Sequence, residues 1–240
     1  MTSYLLTAQQ LKQTRKHMAV KNIKAVLPSI KVNMGGNVIE QPLPHRTVEY
    51  IDPFLLIHHW KDELPGGQTQ AELGVAPHPH RGFSPVTFVF QGAIRHQDSL
   101  GHDAVVSAGG TQWMFAGNGI THSERPGKAL AQNGGTLEII QFWVNAPAKH
   151  KMEMPFYKPI TKEDTPLIEE EKHRIQVVCG EYAGVKGNVT YYSPLNLLRV
   201  ATEKGADFMM ALETGHNTII YLLDGQISIN DRPKPKIWCG

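Results

Sequence analysis

The residues able to do chemistry concentrate in two short motifs. Pro77-His78-Pro79-His80-Arg81-Gly82 and Gly119-Ile120-Thr121-His122-Ser123-Glu124 hold three of the 12 histidines and one carboxylate. In extended backbone, side chains two residues apart point to the same face. His78 with His80, and His122 with Glu124, therefore form two pairs of convergent donors. Three imidazoles and a carboxylate make a mixed nitrogen and oxygen site suited to Fe, Mn, Co, Ni, Cu or Zn, with positions left for water, a substrate or dioxygen. An octahedral, redox-active metal is the expected occupant. A lone His-x-His on a strand is more often a satisfied polar pair than a ligand set. The second pair, behind a glycine-rich turn and far enough along the chain for intervening strands to bring the two together, favours metal binding. His58-His59, His96 and His102 lack such pairing, and surface or hydrogen-bonding roles are expected of them.

Strands must carry these donors. The 22 Gly and 16 Pro recur between short apolar runs, the pattern of many strands joined by tight turns. An all-β fold is predicted, with strands at 54–60, 86–90, 104–107, 112–115, 137–144, 175–179, 197–201, 207–212, 218–223 and 226–229. Ten strands suit a sandwich or barrel. From 149 to 174 charges and prolines dominate, which reads as a linker between two β domains at 31–148 and 175–240. The two halves share a pattern: Thr87 to Ile94 overlays Ile220 to Ile227, with Gly92 meeting Gly225. Residues 1–30 form a basic extension in which Thr7-Ala8-Gln9-Gln10 resembles a capping box opening a short helix. A transit peptide is the alternative for a eukaryotic source.

Composition bounds the rest. With 240 residues, 41% hydrophobic and 19% charged, the chain has the make-up of a globular protein rather than a disordered one. Lys+Arg exceed Asp+Glu by 24 minus 22, a net charge of +2, which disfavours direct nucleic-acid binding. No run approaches the roughly 20 apolar residues of a membrane span. Cys179 and Cys239 are too few for a disulfide framework, so a reducing cytoplasm is expected, with the nucleus or an organelle as eukaryotic alternatives.

Four blocks carry a family resemblance: His78 to Phe83, Gln112 to Gly117, Gly119 to Glu124, and Gln141 to Met152, with Asp52-Pro53-Phe54-Leu55-Leu56 as an opening strand. Over residues 31 to 229 the chain resembles the pirin family of the cupin superfamily. That resemblance implies two cupin-type jelly-roll barrels, the first binding one divalent metal, iron(II) before the alternatives Mn, Co, Ni, Cu and Zn. It implies His78, His80, His122 and Glu124 as the ligands, the set already reached from spacing. Ser84-Pro85 departs from the family, in which a glutamate commonly follows Arg-Gly-Phe. A changed second layer around the site is the expected consequence. Only 15 residues follow Gly225, so the second barrel is expected to be incomplete and metal-free, leaning on the first barrel, on a partner subunit, or on Ile237 and Trp238 folded back.

The resemblance implies a quercetin 2,3-dioxygenase-like enzyme. A flavonol loses a proton at the metal, reacts with O2 and is cleaved with release of carbon monoxide, with Glu124 as ligand and general base. Phe88 and Phe90, which share the parity of His80, are candidates for a substrate pocket, against the plainer reading of core packing. The alternative function is a non-enzymatic, iron-dependent regulator that binds a transcription factor or another enzyme.

Overall fold

The computed structural model describes residues 20–233 apart from 190, 208 and 231, with backbone alone at 232–233. The capping box at 7–10 and Ile237 and Trp238 lie outside the described residues. Two compact units are present, Ser29–Ala206 and a second that joins the segment before Ser29 to the segment after Ala206.

The larger unit is built from β1 (Ile30–Met34), β2 (Asn37–Leu43), β3 (Phe54–Leu64), β4 (Val75–His80), β5 (Phe83–Gln91), β6 (Ala93–Asp98), β7 (Asp103–Ser107), β8 (Thr111–Phe115), β9 (Ile120–Pro126), β10 (Gly135–Asn145) and β11 (Phe156–Ile160). These form a seven-stranded antiparallel sheet in the order β1-β2-β3-β10-β5-β8-β11 and a four-stranded one in the order β4-β9-β6-β7. Alternation places Ile39, Trp60, Val89, Leu137 and Ile139 of the first sheet against Ile94 and Val106 of the second. Each such side chain contributes roughly 1.5–3 kcal/mol by leaving water.

The outer face of the seven-stranded sheet is covered as well. Trp113 and Phe115 are fully buried and pack against Tyr191 and Tyr192. A three-stranded sheet follows, of β12 (Leu167–Glu170), β13 (His173–Cys179) and β16 (Leu197–Thr202), interrupted by the hairpin of β14 (Glu181–Tyr182) and β15 (Val185–Lys186). Its Arg199 holds the two sheets together: the guanidinium lies 4.4 Å from the Phe88 ring centroid and donates to the carbonyls of Gly109 and Gly110 and to Thr111 Oγ1 at 2.9 Å. Burial lowers its pKa to about 10, leaving it charged at neutral pH.

Two expectations differ from what is observed. The stretch read as a linker, 149–174, contains β11 and β12, and β11 extends the first sheet through β8. Pro159 disguises it. Proline removes a ladder donor and is confined to edge strands, and β11 is such an edge. The segments 207–212 and 218–223 are not strands among the described residues, because neither meets a ladder partner for its backbone groups. In the smaller unit the described ladder is Ser228–Ile229 with Arg232–Pro233. There Lys21 Nζ donates to Thr218 Oγ1 at 3.3 Å and Asn230 Nδ2 donates to the Lys21 carbonyl at 2.8 Å.

Gly74 sets the approach of β4 to β9. Its φ is +73°, and a Cβ there would lie 2.4 Å from the carbonyl oxygen of Glu124 and 2.8 Å from Arg125 Cα. Gly74→Ala is expected to cost about 2 kcal/mol or more, seen as a lower denaturant midpoint with an unchanged slope. An unaltered midpoint would show that β4 can move off β9 freely.

Candidate metal centre

The β4–β9 register builds the site. His78 lies opposite His122 and His80 opposite Ile120, with a register shift between Val75 and His78. Pro77 and Pro79 are tolerated because β4 is the edge of its sheet. The nitrogens that His78, His80 and His122 present to one another all lie within 4.8 Å, and ring centroids are 4.5 to 4.9 Å apart. Burial lowers the pKa of His80 to about 4, with help from its neighbours His122 and His78 and against the charge of Glu124. His122 is lowered to about 3, again chiefly by burial, with His78 and His96 adding to it. Imidazoles that stay neutral keep a lone pair for a cation.

His122 Nε2 is buried without a hydrogen-bond partner. His78 Nδ1 donates to the Ala76 carbonyl at 2.8 Å, so Nε2 is the atom it has left to offer a cation. An orphaned buried nitrogen in a triangle of three imidazoles fits a divalent metal ion.

Glu124 is on β9 two residues beyond His122, buried, but outside the three-imidazole group. Its Oε1 accepts from Thr87 Oγ1 at 3.2 Å and its Oε2 from Gln141 Nε2 at 2.8 Å. Gln141 Oε1 in turn accepts from Trp143 Nε1 at 3.2 Å, which fixes the amide so that its nitrogen faces the carboxylate. None of Thr87, Gln141 and Trp143 stands out by residue type. Only the odd-numbered parity they share along β5 and β10 could have flagged them.

His80 opens onto a cavity of about 530 Å³ also lined by Arg81, Phe83, Ser99, Thr121 and Trp143. Phe83 and Trp143 have centroids 4.5 Å apart, and both rings stand edge-on to His80 at 5.1 and 5.3 Å. Phe88 and Phe90, expected at a substrate pocket, are not in this lining. They project from the other face of β5 toward Phe142 and Arg199. The parity shared with His80 breaks at Gly82, whose φ of +77° lets the chain turn between β4 and β5. Ser84 shares the parity of Phe88 and is buried on the same outer face of β5, away from the imidazoles. Of the two positions that depart from the family pattern, Ser84 thus lies away from the three imidazoles, whereas Pro85 is paired with Trp143.

His96, of which a surface or hydrogen-bonding role is expected from the sequence, is buried behind His122 with Nδ1 3.2 Å from His122 Nδ1. Its Nε2 lies 2.8 Å from Asp98 Oδ2, and its ring stacks on Tyr157 at 3.8 Å and 2°. Tyr157 comes from β11, the strand hidden in the expected linker.

The fold is that of a cupin-type all-β protein with three histidines that could hold a metal ion, and comparison with known proteins places it further. The Pirin family profile matches residues 36–144. Pirin-1 of Arabidopsis thaliana is 32% identical over 203 residues, 85% of this chain and 66% of that one. A crystal structure of quercetin 2,3-dioxygenase from Acinetobacter baumannii superposes with a TM-score of 0.69 at 35% identity, over 75% of this chain and 64% of that one. GK1651 from Geobacillus kaustophilus gives a TM-score of 0.66 at 30% identity, over 79% and 72%. The chain belongs to the pirin family. It spans 66% of the Arabidopsis protein and 64% of the Acinetobacter one.

Phe88→Leu is expected to cost about 1 kcal/mol of stability and to leave metal stoichiometry unchanged, measured by denaturation and by elemental analysis. A loss of metal without a loss of stability would return Phe88 to the site.

Proposed function

We propose that this protein is a metal-dependent dioxygenase that cleaves a flavonol-like aromatic substrate with O2. One divalent transition metal is held by His78, His80 and His122, with Glu124 as the accompanying carboxylate ligand. Iron(II) is the proposed metal, ahead of Mn, Co, Ni, Cu and Zn. The observation that carries this reading is the triangle of three imidazoles beside a cavity walled by Phe83 and Trp143. The similarity to a quercetin 2,3-dioxygenase of Acinetobacter baumannii supports it.

When bound, the metal supplies a Lewis acid that acidifies the substrate hydroxyl and gives access to O2. The chain does the rest. Phe83 and Trp143 offer faces and edges to an aromatic ring. Arg81 lines the same cavity and favours a substrate that has become an oxyanion. Glu124 takes the hydroxyl proton on a carboxylate oxygen and returns it to product. Thr87 and Gln141 hold that carboxylate in place, and the Trp143 indole orients Gln141, so the wall that packs on substrate also positions the base. In the overall reaction, flavonol and O2 become a depside and carbon monoxide.

Wild-type protein is expected to bind one metal per chain, and His80→Ala or His122→Ala to lose it, as read by elemental analysis after dialysis. Loaded protein should consume O2 as flavonol absorbance falls, and Glu124→Gln should slow turnover about a hundredfold or more. A wild type inert with all six metals would overturn the enzymatic reading. Full metal content in both histidine variants would overturn the ligand set.

A further inference from the structure

Behind the imidazole triangle a chain of side chains leads from His122 to the surface, and neither the ligand set nor the substrate cavity uses it. Asp98 lies at its centre with a fully buried side chain. Its Oδ1 accepts the backbone N–H groups of Leu100 at 2.9 Å and His102 at 3.1 Å. Its Oδ2 faces His96 Nε2 at 2.8 Å and His102 Nδ1 at 2.8 Å. Burial disfavours the charged form of Asp98, but bonds from His96, His102 and these backbone groups outweigh it and keep its pKa below the usual carboxylate value.

An ionised carboxylate only accepts, so His96 Nε2 must carry its proton. A neutral His96 then presents a bare Nδ1 to His122, and the 3.2 Å contact requires His122 Nδ1 to be the donor. That leaves His122 Nε2 without a proton. This is the buried nitrogen that has no hydrogen-bond partner among the described residues, on a histidine of the three-imidazole group. A bare Nε2 can be satisfied by a cation, whereas the reverse assignment would bury an Nε2–H that a cation cannot satisfy. The stacked Tyr157 ring holds His96 in plane, and Tyr157 Oη is itself tied to Gln112 Oε1 at 2.7 Å.

We propose that His96 and Asp98 are positioning residues that set the tautomer of His122, passing the hydrogen-bonding preference of a buried carboxylate through a second imidazole to the metal-binding nitrogen. This rests on the proposed metal site. It adds a layer that the ligand motif does not contain, because a ligating histidine usually meets its carboxylate or carbonyl directly.

Asp98→Asn tests the relay. The two backbone donors at Oδ1 require an acceptor there, so the new amide places its NH2 at the Oδ2 position, facing His96 Nε2. His96 must then accept at Nε2 and donate from Nδ1. His122 is driven to the Nε2–H tautomer, in which the ligand atom is blocked.

Nitrogen-15 NMR of histidine side chains in the metal-free full-length protein reads the tautomer directly. Wild type is expected to show His122 protonated at Nδ1, and Asp98→Asn to show it at Nε2. Binding of Co(II) or Zn(II) by Asp98→Asn should weaken about 10- to 100-fold, with a changed visible Co(II) spectrum. His96→Gln, whose carbonyl can still accept from His122, should stay within about threefold of wild type, whereas His96→Leu should fall with Asp98→Asn.

A wild-type His122 protonated at Nε2 would overturn the relay, as would a folded Asp98→Asn with unchanged tautomer and affinity. If Asp98→Asn fails to fold, the wild-type tautomer and the Gln/Leu pair at 96 decide. If wild type binds neither metal, the metal-site reading fails, while the tautomer measurement still decides the relay.

Discussion

The structure of this site depends on the pairing of β9 with a neighbour on each side. β4 sets His78 against His122 on one flank, and β6 sets Asp98 against His122 and His96 against Glu124 on the other. Because cross-strand neighbours in an antiparallel ladder lie only about 4.5–5.5 Å apart at Cβ, this double register brings His78 to His122 and sets His96 and Asp98 behind them. A slip of one residue along β9 would turn His122 to the opposite face and dissolve the cluster. Gly74, wedged against the β9 backbone at Glu124, holds the approach.

The seven-stranded sheet supplies a second constraint, since it is buried on both faces and each face does something different. Facing the imidazoles it carries Thr87 and Gln141, which donate to Glu124, and Trp143, which donates to Gln141. Facing away it carries Phe88, Trp113 and Phe115, closed over by Tyr191, Tyr192 and Arg199. Among the described residues, no carboxylate pairs with the Arg199 guanidinium. It is kept by carbonyl oxygens and an aromatic face, an arrangement suited to a weakly hydrated planar cation.

Strand β11 connects the two constraints. It extends the first sheet at its far edge and delivers Tyr157 onto His96, so a segment remote in sequence from both histidine motifs takes part in ordering the site. Of its five residues Tyr157 and Ile160 are buried, while Lys158 and Pro159 are exposed. That is the make-up of an edge strand rather than a central one.

How much of this was legible beforehand follows from the range over which each signal acts. Donors spaced i, i+2 on extended chain converge by local geometry, so His78 with His80, and His122 with Glu124, were readable as two pairs from sequence alone. The all-β class was equally readable, because glycine and proline punctuation is local chemistry. The family likeness rested on the same short blocks. Facing directions beyond a turn were not readable: the positive φ of Gly82 undid the parity argument that would have placed Phe88 and Phe90 beside the metal. Nor was it readable that 207–212 and 218–223 are not strands among the described residues, since an apolar run becomes a strand only where another backbone accepts its hydrogen bonds. His96 and Asp98 look ordinary in sequence and acquire meaning only through the β6–β9 register. Local residue spacing determined which groups could bind a metal. The tertiary structure decided which groups surround and orient them, because that depends on contacts between strands whose separation along the chain carries no periodic signal.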